Sequence, residues 1–227
     1  MPLDLSRIQA ICFDVDGTLR DTDDQYVAKF ARLFHPLRFL LPRRDAADFA
    51  RKFVMTVEAP ANWAFSIPDR LHIDDELAKL GEWVDQRRKT PAHTYLLIQG
   101  VRELLTDLST RYPLAVVSAR PRRGTIGFLN HFELTPYFKC CATGQTALRT
   151  KPFPDPIFWA AKQMGVRPEN CLMVGDTTVD IRAGRAAGAQ TVGVLCGFGE
   201  RPELERAGAD LILQGTWELG EILKTGA

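Results

Sequence analysis

From Gly100 onward the sequence alternates between two periodicities, and that alternation restricts the fold more than any other feature. Apolar residues three and four apart over 101–112, 123–132, 155–164, 179–187 and 217–224 read as helices. Between them, short runs over 114–118, 140–143, 171–175, 191–195 and 209–213 read as strands, and 8–13 (Ile-Gln-Ala-Ile-Cys-Phe) supplies one more near the N-terminus. Strands separated by helices pair in parallel and are covered on both faces, so the expected class is α/β. After Asp21 the pattern changes: 22–41, 45–57 and 74–88 are helical, broken by Pro36, Pro42, Pro60 and Pro68. The expected organisation is therefore a core formed by 1–21 and 98–227, with a small all-helical domain, 22–97, inserted after the first strand.

Composition narrows the partners. The 29 Lys and Arg residues balance 28 Asp and Glu, so no broad basic field invites nucleic acid or a membrane surface. No apolar run approaches ~18 residues and no charged-then-apolar leader is present, so a cytoplasmic protein is expected. The five cysteines (Cys12, Cys140, Cys141, Cys171 and Cys196) contain no Cys-x-x-Cys pair and read as reduced core thiols.

The first strand ends in Phe13-Asp14-Val15-Asp16-Gly17-Thr18-Leu19. Two carboxylates at the end of a buried strand require a cation or a proton between them. Val15 points back to the core, while Asp14 and Asp16 sit close together at the strand end and in the turn. Such a pair can divide labour between nucleophile or metal ligand and proton carrier. The Gly17-Thr18 turn can present backbone N–H groups to a ligand. In a parallel sheet ligands bind beyond the carboxyl ends of the strands. On that rim Ser118 ends Leu-Ala-Val-Val-Ser, Asp176 ends Leu-Met-Val-Gly-Asp, and Lys151 stands in Arg-Thr-Lys-Pro-Phe-Pro just before a helix.

Asp-x-Asp-Gly-Thr at 14–18, Lys-Pro at 151–152 and Gly-Asp-x-x-x-Asp at 175–180, in this order, resemble the haloacid dehalogenase-like hydrolases, in particular the phosphoglycolate phosphatase-like branch with a helical cap. The resemblance implies a Rossmann-like parallel sheet and makes the inserted domain that cap. It implies Asp14 as the nucleophile that carries an aspartyl-phosphate and Asp16 as the acid/base. It further implies Ser118 as the phosphate-binding hydroxyl and Lys151 as the balancing cation. Mg2+ would be held by Asp14, Asp176 and the backbone carbonyl of Asp16, with Asp180 holding a metal-bound water or Lys151. Gly17, Thr18, Ser118, Ala119, Arg120 and Lys151 would bind substrate. Hard oxygen donors suit magnesium.

Asp16 also separates reactions within the family, because an alkoxide leaving group needs a proton whereas halide does not. Relatives that cleave phosphonates differ at this position too, so a phosphomonoester is expected. The branch usually reads Thr-Asn-Lys where this chain has Ser118-Ala119-Arg120, which keeps the hydroxyl and loses the Asn. Arg120 is expected either to reach an anionic substrate or to form a surface salt bridge. Trp63 and Phe65 in the cap, the basic pairs Arg43-Arg44 and Arg51-Lys52, and the scattered His35, His72, His93 and His131 read as packing or surface residues. Gly193 to Gly199 reads as an ordinary turn after a late strand. The expected activity is a magnesium-dependent phosphatase acting on a small phosphorylated metabolite, as a monomer or homodimer. The alternatives are a sugar phosphomutase and a noncatalytic phospho-ligand-binding protein on the same scaffold.

Overall fold

A computed structural model describes residues 3–21 and 95–224. The helical insert expected over 22–97 falls, apart from its last three residues, outside the described residues, together with the basic pairs, Trp63 and Phe65 placed there.

Six strands, β1 (Ala10–Phe13), β2 (Leu114–Val117), β3 (Phe138–Ala142), β4 (Cys171–Gly175), β5 (Gln190–Val194) and β6 (Leu211–Leu213), form one sheet in the order β3-β2-β1-β4-β5-β6. Every pairing is parallel, with Phe13 opposite Val116 on one side and Val174 on the other. The helices between them are α1 (Val101–Leu108), α2 (Arg122–His131), α3 (Asp155–Met164), α4 (Thr178–Ala186), α5 (Arg201–Ala207) and α6 (Leu219–Lys224). This is the Rossmann-like α/β class expected from the alternation. None of the described helices is long and apolar enough to cross a membrane.

The alternation of side chains along each strand sorts the core into two unequal faces. Ile11, Phe13, Leu114, Val116, Leu172 and Val174 turn to one side and pack against α1, α2 and α6. Full burial of a side chain of this size contributes ~1.5–3 kcal/mol. Ala10, Cys12, Ala115, Val117 and Ala142 turn to the other and meet Ile157, Ala160 and Ala161 of α3 and Ala183 of α4. Small residues on both partners let α3 and α4 approach the sheet closely. One such approach is at Gly184, where a Cβ would stand 2.5 Å from Thr191 Cγ2 and 3.0 Å from Met173 Cβ.

Element boundaries depart from the sequence expectation where side chains compete for backbone groups. β1 begins at Ala10 rather than Ile8 because Asp4 caps a 3-10 turn, Leu5–Arg7, which the Ile8 N–H closes on the Leu5 carbonyl. α1 stops at Leu108 because the Ser109 and Thr110 hydroxyls donate back to the Thr106 and Asp107 carbonyls. α5 was not anticipated, although Pro202 in its first turn and Gly208 as its left-handed stop (φ 91°) are ordinary helix signals. The segments flanking 22–94 meet each other: Asp21 N–H donates to the Leu96 carbonyl (3.0 Å), Ile98 N–H to the Leu19 carbonyl (3.1 Å), and Arg20 bridges Leu97 in antiparallel fashion. The chain leaves and rejoins the core at one place.

Substituting Gly184→Ala tests the close helix–sheet contact. In an exposed helix interior this change gains roughly 1 kcal/mol; here the blocked Cβ predicts a loss of about 1–3 kcal/mol in denaturant unfolding.

Candidate active site

Strand order reverses between β1 and β4, and the crevice at that point lies beyond the carboxyl ends of both. Asp14 is the first residue past β1, held there by its N–H to the Val174 carbonyl (2.9 Å). Asp176 is the first residue past β4 and Ser118 the first past β2. All three are buried. Lys151 arrives from the loop before α3 and is 3 % exposed, so its ammonium is committed to the carboxylates around it. Nζ lies 2.5 Å from Asp14 Oδ1 and 2.6 Å from Asp180 Oδ1.

Asp180 occupies the first turn of α4, where a carboxylate is favoured by the helix dipole. Its Oδ2 accepts from Thr177 N (3.1 Å) and Thr177 Oγ1 (2.7 Å), a capping box with Asp in the usual Glu position. Both oxygens are therefore occupied, one by the helix cap and one by Lys151. Gly175 makes this possible, because a Cβ there would stand 2.3 Å from the Asp180 Cβ.

Asp176 is enclosed by backbone. Phe198 N–H donates to its Oδ2 (2.8 Å), Thr18 Oγ1 lies 3.4 Å from its Oδ1, and Cβ atoms on Gly17 or Gly197 would fall within 2.2 Å of Oδ2. Gly17 also has φ 72°, so two independent constraints require glycine. The segment from Gly193 to Gly199, read from sequence as an ordinary turn, thus wraps this carboxylate. Its signal was the glycine density directly after β5, a neighbour of β4 on the same rim.

The turn after β1 differs from expectation in one respect. The Gly17 and Thr18 N–H groups, expected to face a ligand, are used within the turn: Gly17 donates to the Arg20 carbonyl (2.8 Å) and Thr18 to the Val15 carbonyl (3.3 Å). What these residues contribute to the site is the close approach of Gly17 and the hydroxyl of Thr18 to Asp176. Ser118 Oγ accepts from Arg120 N–H (3.2 Å), which leaves its hydroxyl proton free to donate. Ala119 lies in this turn with its carbonyl packed against Gly144.

Asp16 sits in the turn, separate from the Asp14–Lys151–Asp180 group. Its Oδ2 is paired with Arg120 Nε, and its Oδ1 lies 3.6 Å from Arg20 Nη1. Arg20 was not anticipated from sequence; its signal was an opposite charge four residues after Asp16, which the tight turn folds back onto it. His131, at the end of α2, stacks against Tyr95 and Phe132, as the packing reading expected.

Burial pushes the Asp14 carboxyl up, against the pull of Lys151 and with repulsion from Asp180 and Asp16, to about 7. Burial alone would discharge Lys151, but Asp14 and Asp180 outweigh it and push the ammonium's pKa up. Ligand oxygens of Asp14, Asp176 and Asp180 all lie within 4.8 Å of one another. Three clustered carboxylates, two of them sharing the Lys151 ammonium, offer only oxygen donors and fit a hard divalent cation. Asp14 and Asp176 are the strand-end carboxylates that could hold it, while Asp180 is engaged by Lys151 and by the cap of its own helix.

The model of the haloacid dehalogenase-like hydrolase family matches residues 11–194. The chain is similar to a phosphoglycolate phosphatase of Pseudomonas savastanoi, 31% identical over 209 residues, covering 89% of this chain and 75% of the relative. It is also similar to the pyrophosphatase PpaX of Anoxybacillus flavithermus, 28% identical over 220 residues and covering 95% and 97% of the two chains. A solved hydrolase from Pseudomonas syringae shares the fold with a TM-score of 0.67 at 26% identity, covering 96% of this chain and 99% of that one.

The raised Asp14 carboxyl makes a prediction about the metal-free protein. Its folded value, about 7, lies above the ~3.9 of an unfolded chain, so the native state holds an extra proton between these values. The corresponding stability is complete below about pH 4 and is lost as pH rises through about 7. Metal-free Asp14→Asn should therefore gain in melting temperature over wild type progressively from about pH 4 to 7 and then level off. A pH-independent difference would contradict the buried-carboxyl account.

Proposed function

The chain belongs to the haloacid dehalogenase-like hydrolases, and from that premise we propose that it is a magnesium-dependent phosphatase that hydrolyses a small phosphomonoester through an aspartyl-phosphate on Asp14. The observation that carries this reading is Lys151 Nζ held between Asp14 and Asp180 at the β1/β4 crevice, with Asp176 alongside. The resemblance of the strand-end motifs and the similarity to proteins named phosphoglycolate phosphatase and pyrophosphatase support it.

In this reading an Asp14 carboxylate oxygen attacks phosphorus while Asp16 gives a proton to the departing alkoxide. Asp16, now a carboxylate, then takes a proton from water, which attacks the phosphorus of the intermediate and restores Asp14. Lys151 offsets charge between the nucleophile and the phosphoryl oxygens, and the Ser118 hydroxyl donates to one of them. Asp14, Asp176 and the Asp16 carbonyl would hold Mg2+, which supplies further countercharge to the phosphoryl group when bound. Asp180 fixes Lys151 rather than touching phosphate. The near-balanced charge of the chain supports a small-metabolite substrate in the cytoplasm in preference to nucleic acid or a membrane. A helical cap over 22–97 would set the leaving-group specificity.

Phosphate release from a panel of phosphorylated metabolites, with and without magnesium, tests this. Activity should require the metal and fall by at least about a thousandfold in Asp14→Asn. Lys151→Met should lose about a hundredfold or more while remaining folded. Full activity in Asp14→Asn would contradict the proposal, and isomerised sugar phosphate without free phosphate would indicate the phosphomutase instead.

A further inference from the structure

The carboxylate proposed to carry the proton is flanked by two guanidinium groups of different character. Arg120, on the loop after β2, has a side chain 29% exposed, whereas that of Arg20 is 4% exposed. Arg20 is also fixed through its backbone: its N–H donates to the Val15 carbonyl and its carbonyl accepts from Gly17, both at 2.8 Å, and it bridges Leu97. Its guanidinium carbon lies 4.9 Å from the centre of the Tyr95 ring, which packs in turn against Phe128. The Nη1 of this constrained cation lies 3.6 Å from Asp16 Oδ1, an ion-pair contact longer than a hydrogen bond.

We propose that Arg20 is a positioning residue: it holds the Asp16 carboxyl in the orientation from which its proton reaches the leaving oxygen. The inference rests on the phosphatase reading and on Asp16 as its acid, and adds a residue that touches neither phosphate nor metal. A second consequence is a physical link between proton transfer and the junction where residues 19–21 pair with 96–98, because Arg20 belongs to both.

A purely structural salt bridge and a positioning residue respond differently to the leaving group. p-Nitrophenolate departs readily without a proton, whereas an alkoxide does not, so misplacing the acid slows the phosphoryl transfer to Asp14 only for the alkyl ester. In Arg20→Met, kcat/KM, which reports phosphoryl transfer to Asp14 and not the later hydrolysis common to both esters, should fall about tenfold to a hundredfold for an alkyl phosphate and by no more than about threefold for p-nitrophenyl phosphate. Asp16→Asn should show the same selectivity, Arg20→Met should cost nothing further in its background, and Arg20→Lys should recover part of the alkyl-phosphate rate. If Arg20→Met does not fold, Arg20→Gln and Arg20→Lys carry the comparison. Equal losses on both esters, or additive losses in the double variant, would overturn the inference while leaving the phosphatase reading intact. A wild-type protein that releases phosphate from neither ester, or an Asp16→Asn variant without leaving-group selectivity, would overturn that reading and this inference with it.

Discussion

One buried ammonium organises the site. Lys151 Nζ is shared between Asp14 on the end of β1 and Asp180 on the first turn of α4, and it is the point at which strand, helix and loop are tied together. Removing the Lys151 ammonium would leave Asp14 and Asp180 facing each other in the interior without their cation, a charge imbalance that costs several kcal/mol. The remaining parts are arranged around this link. Gly175 clears space for Asp180, Thr177 fixes its second oxygen, and Gly17, Gly197 and Phe198 hold Asp176 beside Asp14.

The sheet makes this convergence possible through its asymmetry. Large side chains fill the face toward α1, α2 and α6, while alanines, a glycine and thiols line the face toward α3 and α4. Close packing on that second face brings the loop before α3, with Lys151, and the first turn of α4, with Asp180, down to the level of the strand ends. Stability and chemistry are thus linked: the contact that seats α4 on the sheet also sets the height of Asp180 over Asp14.

Much of this was legible in the sequence because each signal was local. Strand-ending Asp14, Ser118 and Asp176 followed unmistakable apolar runs, and parallel topology then placed them on one rim. Lys151 was legible from the Lys-Pro motif but not from periodicity, since a loop residue has none. What the sequence hid was tertiary. Arg20 meets Asp16 only because the turn folds back, the 193–199 segment meets Asp176 only because β5 neighbours β4, and the Gly17 and Thr18 N–H groups are spent on turn partners that spacing does not reveal. Helix ends moved where Ser109, Thr110 and Asp4 competed for the backbone, an effect of side-chain hydrogen bonds rather than of hydrophobic pattern.

The central claim is that Asp14, charge-balanced by Lys151, becomes covalently phosphorylated. Rapid acid quench during turnover of an accepted phosphomonoester, followed by borohydride reduction and peptide mass analysis, tests it directly, because borohydride converts an aspartyl-phosphate to homoserine. The account predicts homoserine at position 14 in a magnesium-dependent manner. An active protein in which the label falls on another residue, or in which position 14 stays unmodified throughout turnover, would contradict it.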